Sequence, residues 1–308
     1  MTTNAIQSSH IYSTYFAPRG RSRIYTLGMQ IAQLYLSPFD QIIGFIGEAG
    51  SGKSVLIKGM FPGIELTNDD DGVNVRPLPL LEQEYETGFF TPHTYHLDIR
   101  FETGFHQLSE LADAVRLAVR RGKRIIIEHF DLIYPLLGVN ANLLIGVGEQ
   151  IVITRPNLFG PLPQDLCDIV YPSLAYRLMA HSAEDLCEYA MTQEQMLACS
   201  HGDIRHGFVL EFNEHQPDID IPTLEARVNE LIRQDLPIDY YDESHILLGG
   251  VQHYCTGPRT HVHSTGRIIG FRLLDHFIYD HFHKTYMLVG CVGDDSEENI
   301  RKLETIHG

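Results

Sequence analysis

Tryptophan is absent from the 308 residues and cysteine is scarce, with Cys167, Cys187, Cys199, Cys255 and Cys291 the full set. Five is odd and too few for the disulfide framework of a small secreted fold, so no cross-linked scaffold is expected. Basic residues are also in short supply. Lys and Arg total 23 against 40 Asp and Glu, a formal charge of −17, which opposes broad electrostatic clamping of nucleic acid. The nearest approach to a basic patch, Arg116, Arg120, Arg121, Lys123 and Arg124, reads as the solvated face of a helix and the turn after it. No apolar run approaches the roughly 18 residues of a membrane-spanning helix. Met1 to His10 also lacks the basic and apolar regions of a signal peptide. A soluble, cytoplasmic protein with no membrane partner is expected, its oligomeric state left open.

What is abundant is histidine, 17 residues that concentrate after residue 175. The hydrophobic fraction of 44% is ordinary for a chain with a real core, and the length allows two domains. From about 42 to 172 short apolar runs alternate with amphipathic stretches, the pattern of βαβ units and a parallel sheet. Ile42–Ile46, Ile64–Thr67, Arg124–Glu128 and Gln150–Thr154 are the expected strands. Leu108 to Arg120 has helical periodicity and Gly122 is placed to close it. Proline and glycine at Pro156, Gly160, Pro161 and Pro163 mark the edge of the first half. A helix from Pro172, a strand near Phe208–Phe212, a helix from Thr223 to Gln234 and further strands around a Cys/His cluster are expected after it. The division is 1–172 and 173–308.

Directly behind Ile42–Ile46 stands Gly47-Glu48-Ala49-Gly50-Ser51-Gly52-Lys53-Ser54, the pattern G-x-x-x-x-G-K-S of a P-loop. A strand feeding a glycine-rich turn and then a helix is what a phosphate cradle requires. Backbone N–H groups of Gly47, Gly50, Ser51 and Gly52 turn inward on a polyphosphate, and the helix adds its positive end. Lys53 is expected to reach the β/γ-phosphates and Ser54 to ligate Mg²⁺. Such a site needs a carboxylate on a neighbouring strand. Glu128, at the expected exposed end of its strand, is the first candidate and Asp131 the next. Asp69, within the run Asp69–Asp71, is placed to accept a proton from a substrate hydroxyl.

The P-loop, the acids after the second strand and the Arg-Gly-Lys-Arg-Ile-Ile-Ile-Glu segment (121–128) fall in an order that resembles the uridine kinase and phosphoribulokinase group. That resemblance covers about 130 residues and implies an α/β P-loop NTPase-type parallel sheet. The guanine signature Asn-Lys-x-Asp is missing, which points to ATP.

The second half resembles a different family. His253-Tyr254-Cys255-Thr256-Gly257-Pro258-Arg259-Thr260-His261-Val262-His263 and Ser264-Thr265-Gly266-Arg267-Ile268 look like the zinc-binding segment of the second additional, or editing, domain of alanyl-tRNA synthetases. Gly270–Leu274, Val209–His215 and Leu224–Ile238 match its strands and helix in order, over roughly 178 to 290. The resemblance implies an α+β editing-like domain with a zinc ion in a pocket that hydrolyses mischarged aminoacyl esters. Carried over by position, its ligands fall on His181, Asp185, Cys255 and His261. Asp185 replaces a histidine of the family pattern, and Pro258-Arg259 lengthens the Cys-to-His spacing. His253 and His263 are alternates, whereas His201 and His206 lie outside the matched positions and read as solvated loop residues.

These readings imply an ATP- and Mg²⁺-dependent phosphotransferase or NTPase acting on a small acceptor that a zinc-binding, editing-like domain presents. The alternatives are a trans-acting aminoacyl-tRNA deacylase regulated by ATP, for which tRNA is the partner, and a nucleotide-gated binding module.

Overall fold

Ile42–Ile46 is apolar throughout and buried throughout, as a strand covered on both faces should be. It is the second strand of a mixed six-stranded sheet. The computed structural model describes residues 12–66, 93–213 and 215–307. Its first elements are β1 (Ser13–Phe16), α1 (Arg21–Tyr35), β2 (Ile42–Ile46), α2 (Lys53–Met60), β3 (Thr94–Asp98) and the short α3 (Ile99–Glu102). They are followed by α4 (Leu108–Arg120), β4 (Arg124–Glu128), α5 (Phe130–Leu137), β5 (Leu143–Val147) and β6 (Gln150–Thr154). The sheet order is β1-β6-β5-β2-β4-β3. Strands β3, β4, β2 and β5 run parallel, and β6 is antiparallel to β5.

The sheet is therefore mixed, not wholly parallel as expected. Only Gly148 and Glu149 separate β5 from β6, and a two-residue connection can join only antiparallel strands. Ile64–Leu66 is not a strand, a second correction, and Thr67 and the Asp69–Asp71 run lie outside the described residues. Helix α4 buries Leu111, Ala112, Val115 and Ala118 at the three-to-four spacing of one helical face. Gly122 follows it with φ 75°, as its role in closing the helix requires.

The helix expected from Pro172 begins earlier. Helix α6 runs Pro163–Ala190 with Pro172 inside it, and Pro163 at its start suits a position whose N–H needs no partner. Beyond it come α7 (Gln193–Ala198), β7 (Cys199–Ile204), β8 (Gly207–Asn213), α8 (Ile221–Arg233), β9 (Ile238–Asp242), β10 (His245–Leu248) and β11 (Val251–Tyr254). The chain ends with β12 (Arg272–Leu273), β13 (Ile278–Asp280), β14 (Thr285–Cys291) and α9 (Ser296–His307). Strands β12, β14, β8 and β7 lie side by side in that order, and β9, β10 and β11 form a second antiparallel sheet.

Two compact units result, Met1–Tyr15 with Arg21–Pro172, and Phe16–Gly20 with Ser173–Gly308. Residues 16–20 thus group with the second unit, although the sequence division put all of 1–172 in the first. The first core gathers Ile42, Ile46, Leu97, Leu111, Ile127 and Phe130. The second gathers Leu186, Phe208, Leu210, Phe212, Val228 and Leu288. No described helix is long and apolar enough to cross a membrane.

Candidate functional site

In the first unit the Gly47–Ser54 segment links the end of β2 to the first turn of α2. Gly50 and Gly52 have φ 78° and 95°, a region that residues with a Cβ rarely enter. Lys53 is the first residue of α2 and is buried, only 4% exposed. Its Nζ donates to the carbonyls of Gly47 (3.0 Å) and Glu48 (2.9 Å) and lies 3.7 Å from Glu128 Oε2. Ser54 Oγ donates to Glu128 Oε1 over 3.1 Å.

Sheet order explains these contacts. Strand β4 is the immediate parallel neighbour of β2, with Glu128 opposite Phe45. On its other side Asp98 of β3 stands opposite Glu128. Parallel strands end on one side, so their last side chains converge there. His96 Nε2 lies 3.1 Å from Glu128 Oε1, and one donor atom each from Asp98, Glu128 and His129 lies within 4.8 Å of the others, close enough to share a metal ion. Glu128 is buried, a correction to the exposed strand end expected from the sequence. Asp131 sits in the first turn of α5 and accepts from Tyr171 Oη at 3.3 Å. It is not among the acids gathered with Glu128.

The charges at this site shape one another. Burial alone would raise the Glu128 carboxyl, but His96, Lys53 and Ser54 together hold it below its usual value. Burial lowers Lys53, with Glu128 and Asp98 opposing. Burial and then Lys53 lower His129, which favours the neutral imidazole, the form that ligates metals. His129 adopts φ 56° and its Nδ1 has no hydrogen-bond partner.

In the second unit α6 carries His181, Glu184, Asp185 and Glu188, all buried. Their spacing places them along one helical face. Arg19 donates to Glu184 and Asp185, and its Nη2 lies 3.1 Å from Cys255 Sγ. His261 Nε2 is 2.6 Å from Asp185 Oδ2 and 3.7 Å from Cys255 Sγ. Gly257 N donates to Cys255 Sγ at 3.2 Å. Two carboxylates thus face one guanidinium, and their proton affinities separate. Burial raises Glu184 to about 7, with Arg19 offsetting only part. Burial pushes the same way on Asp185, but Arg19 and His261 outweigh it and hold this carboxyl far below the usual range.

Of the four expected metal ligands, Asp185, Cys255 and His261 do lie within 4.8 Å of one another. His181 is not among them. Its Nε2 faces Asp203 Oδ1 at 3.9 Å, and burial followed by Arg19 and Arg177 holds it well below the usual histidine range. Arg19 engages Asp185 and Cys255 within this group, and His181, the fourth expected ligand, stands outside it. Of the alternates, His253 is buried in a group with Asp185 and Glu188, and His263 is exposed.

No protein-family model matches this chain, and no curated protein matches it either.

Two expectations for the remaining histidines are overturned. His201 lies on β7, paired with Glu188. His206 is buried, stacked on Tyr176 with ring centroids 3.7 Å apart, and its Nδ1 is 2.9 Å from Asp295 Oδ2. Sequence reasoning also missed Asp98, His96, Glu184, Glu188 and Arg19. The helical spacing from His181 could have found the two glutamates. Nothing local marks Arg19, which stands 165 and 166 positions from its carboxylate partners.

Proposed function

We propose that the first unit binds ATP with Mg²⁺ through Gly47–Ser54 and transfers the γ-phosphoryl group to a small acceptor, or to water. One observation carries this reading: Lys53 and Ser54, from the helix after the glycine turn, and Glu128 and Asp98, from two adjacent parallel strands, converge at one end of the sheet. Gly50, Ser51 and Gly52 would offer backbone N–H groups to the phosphates, and Lys53 a positive charge. Ser54 and Glu128 would hold Mg²⁺, which supplies neutralisation of charge developing on the phosphoryl oxygens. Asp98 and His129 are near enough to bind the ion or its water. Asp131, engaged with Tyr171, has no part in this reading.

For the second unit, the order of motifs resembling an editing domain favours a role in presenting an acceptor. The Arg19 contacts weigh against metal-dependent ester hydrolysis at Asp185, Cys255 and His261. The test measures ATP binding by calorimetry and ATP consumption over a panel of amino acids, nucleosides and aminoacyl-tRNAs, beside ester hydrolysis. Lys53→Ala should lose most affinity or turnover while remaining folded. Equal ATP binding by wild type and variant would sink the proposal. ATP-independent deacylation of a mischarged tRNA would promote the deacylase in its place.

A further inference from the structure

Strand β7 reads Cys-Ser-His-Gly-Asp-Ile, a poor strand by composition because it lacks alternating apolar residues. Its odd positions explain the exception. Cys199, His201 and Asp203 share one face by the two-residue period of a strand, and their partners are on α6. Cys199 Sγ lies 3.7 Å from Glu188 Oε1, His201 Nε2 pairs with the same oxygen, and Asp203 faces His181. The inner face of this strand is polar because it meets a row of buried acids and a histidine on the helix.

We propose that the second unit binds one divalent transition metal, zinc by its donors, between Glu188, Cys199 and His201. The neighbouring set of Asp185, Cys255 and His261 instead takes its positive charge from Arg19. One donor atom each from Glu188, Cys199 and His201 lies within 4.8 Å of the others. Zinc bonds of about 2.0–2.3 Å in a tetrahedron put neighbouring ligand atoms roughly 3.3–3.8 Å apart. The Cys199–Glu188 separation already meets that, and His201 needs only a small rotation away from the carboxylate. The S/N/O donor set suits zinc's borderline softness and is a poor one for Mg²⁺ or Ca²⁺.

Glu184 stands one turn before Glu188 on α6, and its Oε1 is buried without a hydrogen-bond partner. Its other carboxylate oxygen accepts from Arg19, so Glu184 stands beside the three gathered donors and is not one of them. The frame is also fixed: α6 and β7 are joined by α7, whose first turn is held by a reciprocal Thr192–Gln195 capping box. Ligands on such elements keep their geometry better than ligands on loops.

The experiment uses full-length protein expressed without supplement, then titrated with Zn²⁺ or Co²⁺ at pH 7.5 and desalted. Metal is counted by mass spectrometry and Co²⁺–thiolate charge transfer is read by absorbance. Wild type is expected to hold one ion per chain with a thiolate band. Cys199→Ser and His201→Gln should each lower the content at least tenfold, and Cys199→Ser should abolish the band. Cys255→Ser and His261→Gln should keep both ion and band. Circular dichroism establishes that each variant is folded, and the two ligands tested on each side serve if one variant fails. No ion in wild type after titration would overturn the assignment. So would loss in the Cys255 and His261 variants with retention in the others, or equal loss in all four.

Discussion

Replacing Gly59 with alanine should destabilise the first unit by about 2 kcal/mol, and the reason is a backbone crossing. Helices α1 and α2 touch through Gly28 and Gly59. A Cβ at Gly59 would stand 2.2 Å from the Tyr25 carbonyl oxygen and 3.1 Å from Gly28 Cα. Carbon–oxygen contacts settle at roughly 3.3–3.6 Å, so the overlap is about 1 Å. Both sides are main chain and cannot rotate aside, so the helices must part. Overpacking costs about 1–3 kcal/mol, and a rigid contact belongs at the upper end. Alanine's helix propensity returns about 1 kcal/mol. The net loss of about 2 kcal/mol should lower the unfolding midpoint by roughly 4–8 °C in a unit of this size. Gly28→Ala meets the Leu56 carbonyl at 2.5 Å, and one separation of the helices relieves both clashes. The double variant should therefore lose less than the sum of the singles. Urea and thermal unfolding, followed by circular dichroism, give all three values. A Gly59→Ala protein that melts within a degree of wild type, or a double variant that is strictly additive, would refute the reasoning. Because α2 begins with Lys53 and Ser54, nucleotide affinity should fall alongside stability.

Glu128→Gln should cut ATP turnover at least tenfold while changing ATP affinity much less, whereas Asp131→Asn should leave both within about twofold; steady-state kinetics with the pair reversed would move the essential acid onto α5. Burial raises Glu184 from an ordinary 4.5 to about 7, so the folded state keeps a proton that the unfolded state releases between those values. Its contribution to stability therefore falls as pH rises through that window and stays low above it. In chelator-containing buffer Glu184→Gln should stabilise the second unit by up to about 3 kcal/mol near pH 8 and by little near pH 5. A gain of the same size at both pH values, measured by urea unfolding, would count against a buried, proton-hungry carboxyl.

Some of the fold and the first site follows from local pattern. The run Ile42–Ile46, the glycines before Lys53 and the periodic face of Leu108–Arg120 announce strand, turn and helix because their constraints lie within a few residues. Sequence also singled out Glu128, since a polar residue closing an apolar run marks a strand end. Whether that end is exposed was a matter for the sheet: β4 lies against β2, and the carboxylate is enclosed by Lys53, Ser54 and His96. The antiparallel β6 was hidden by reading Gln150–Thr154 without its partner Leu143–Val147.

In the second unit the division is sharper. Sequence could bring Asp185, Cys255 and His261 together only through the resemblance to an editing domain, whose ligand positions fall on them. It could not reveal that Arg19, far away in the chain, brings its guanidinium to the same carboxylate and thiol. Nor could it reveal that the polar segment Cys199–Ile204 is a strand, because the apolar signal of a strand presumes an apolar surface opposite. Here the opposite surface is the face of α6 bearing His181, Glu184 and Glu188, and buried charges take the partners that the tertiary structure brings to them.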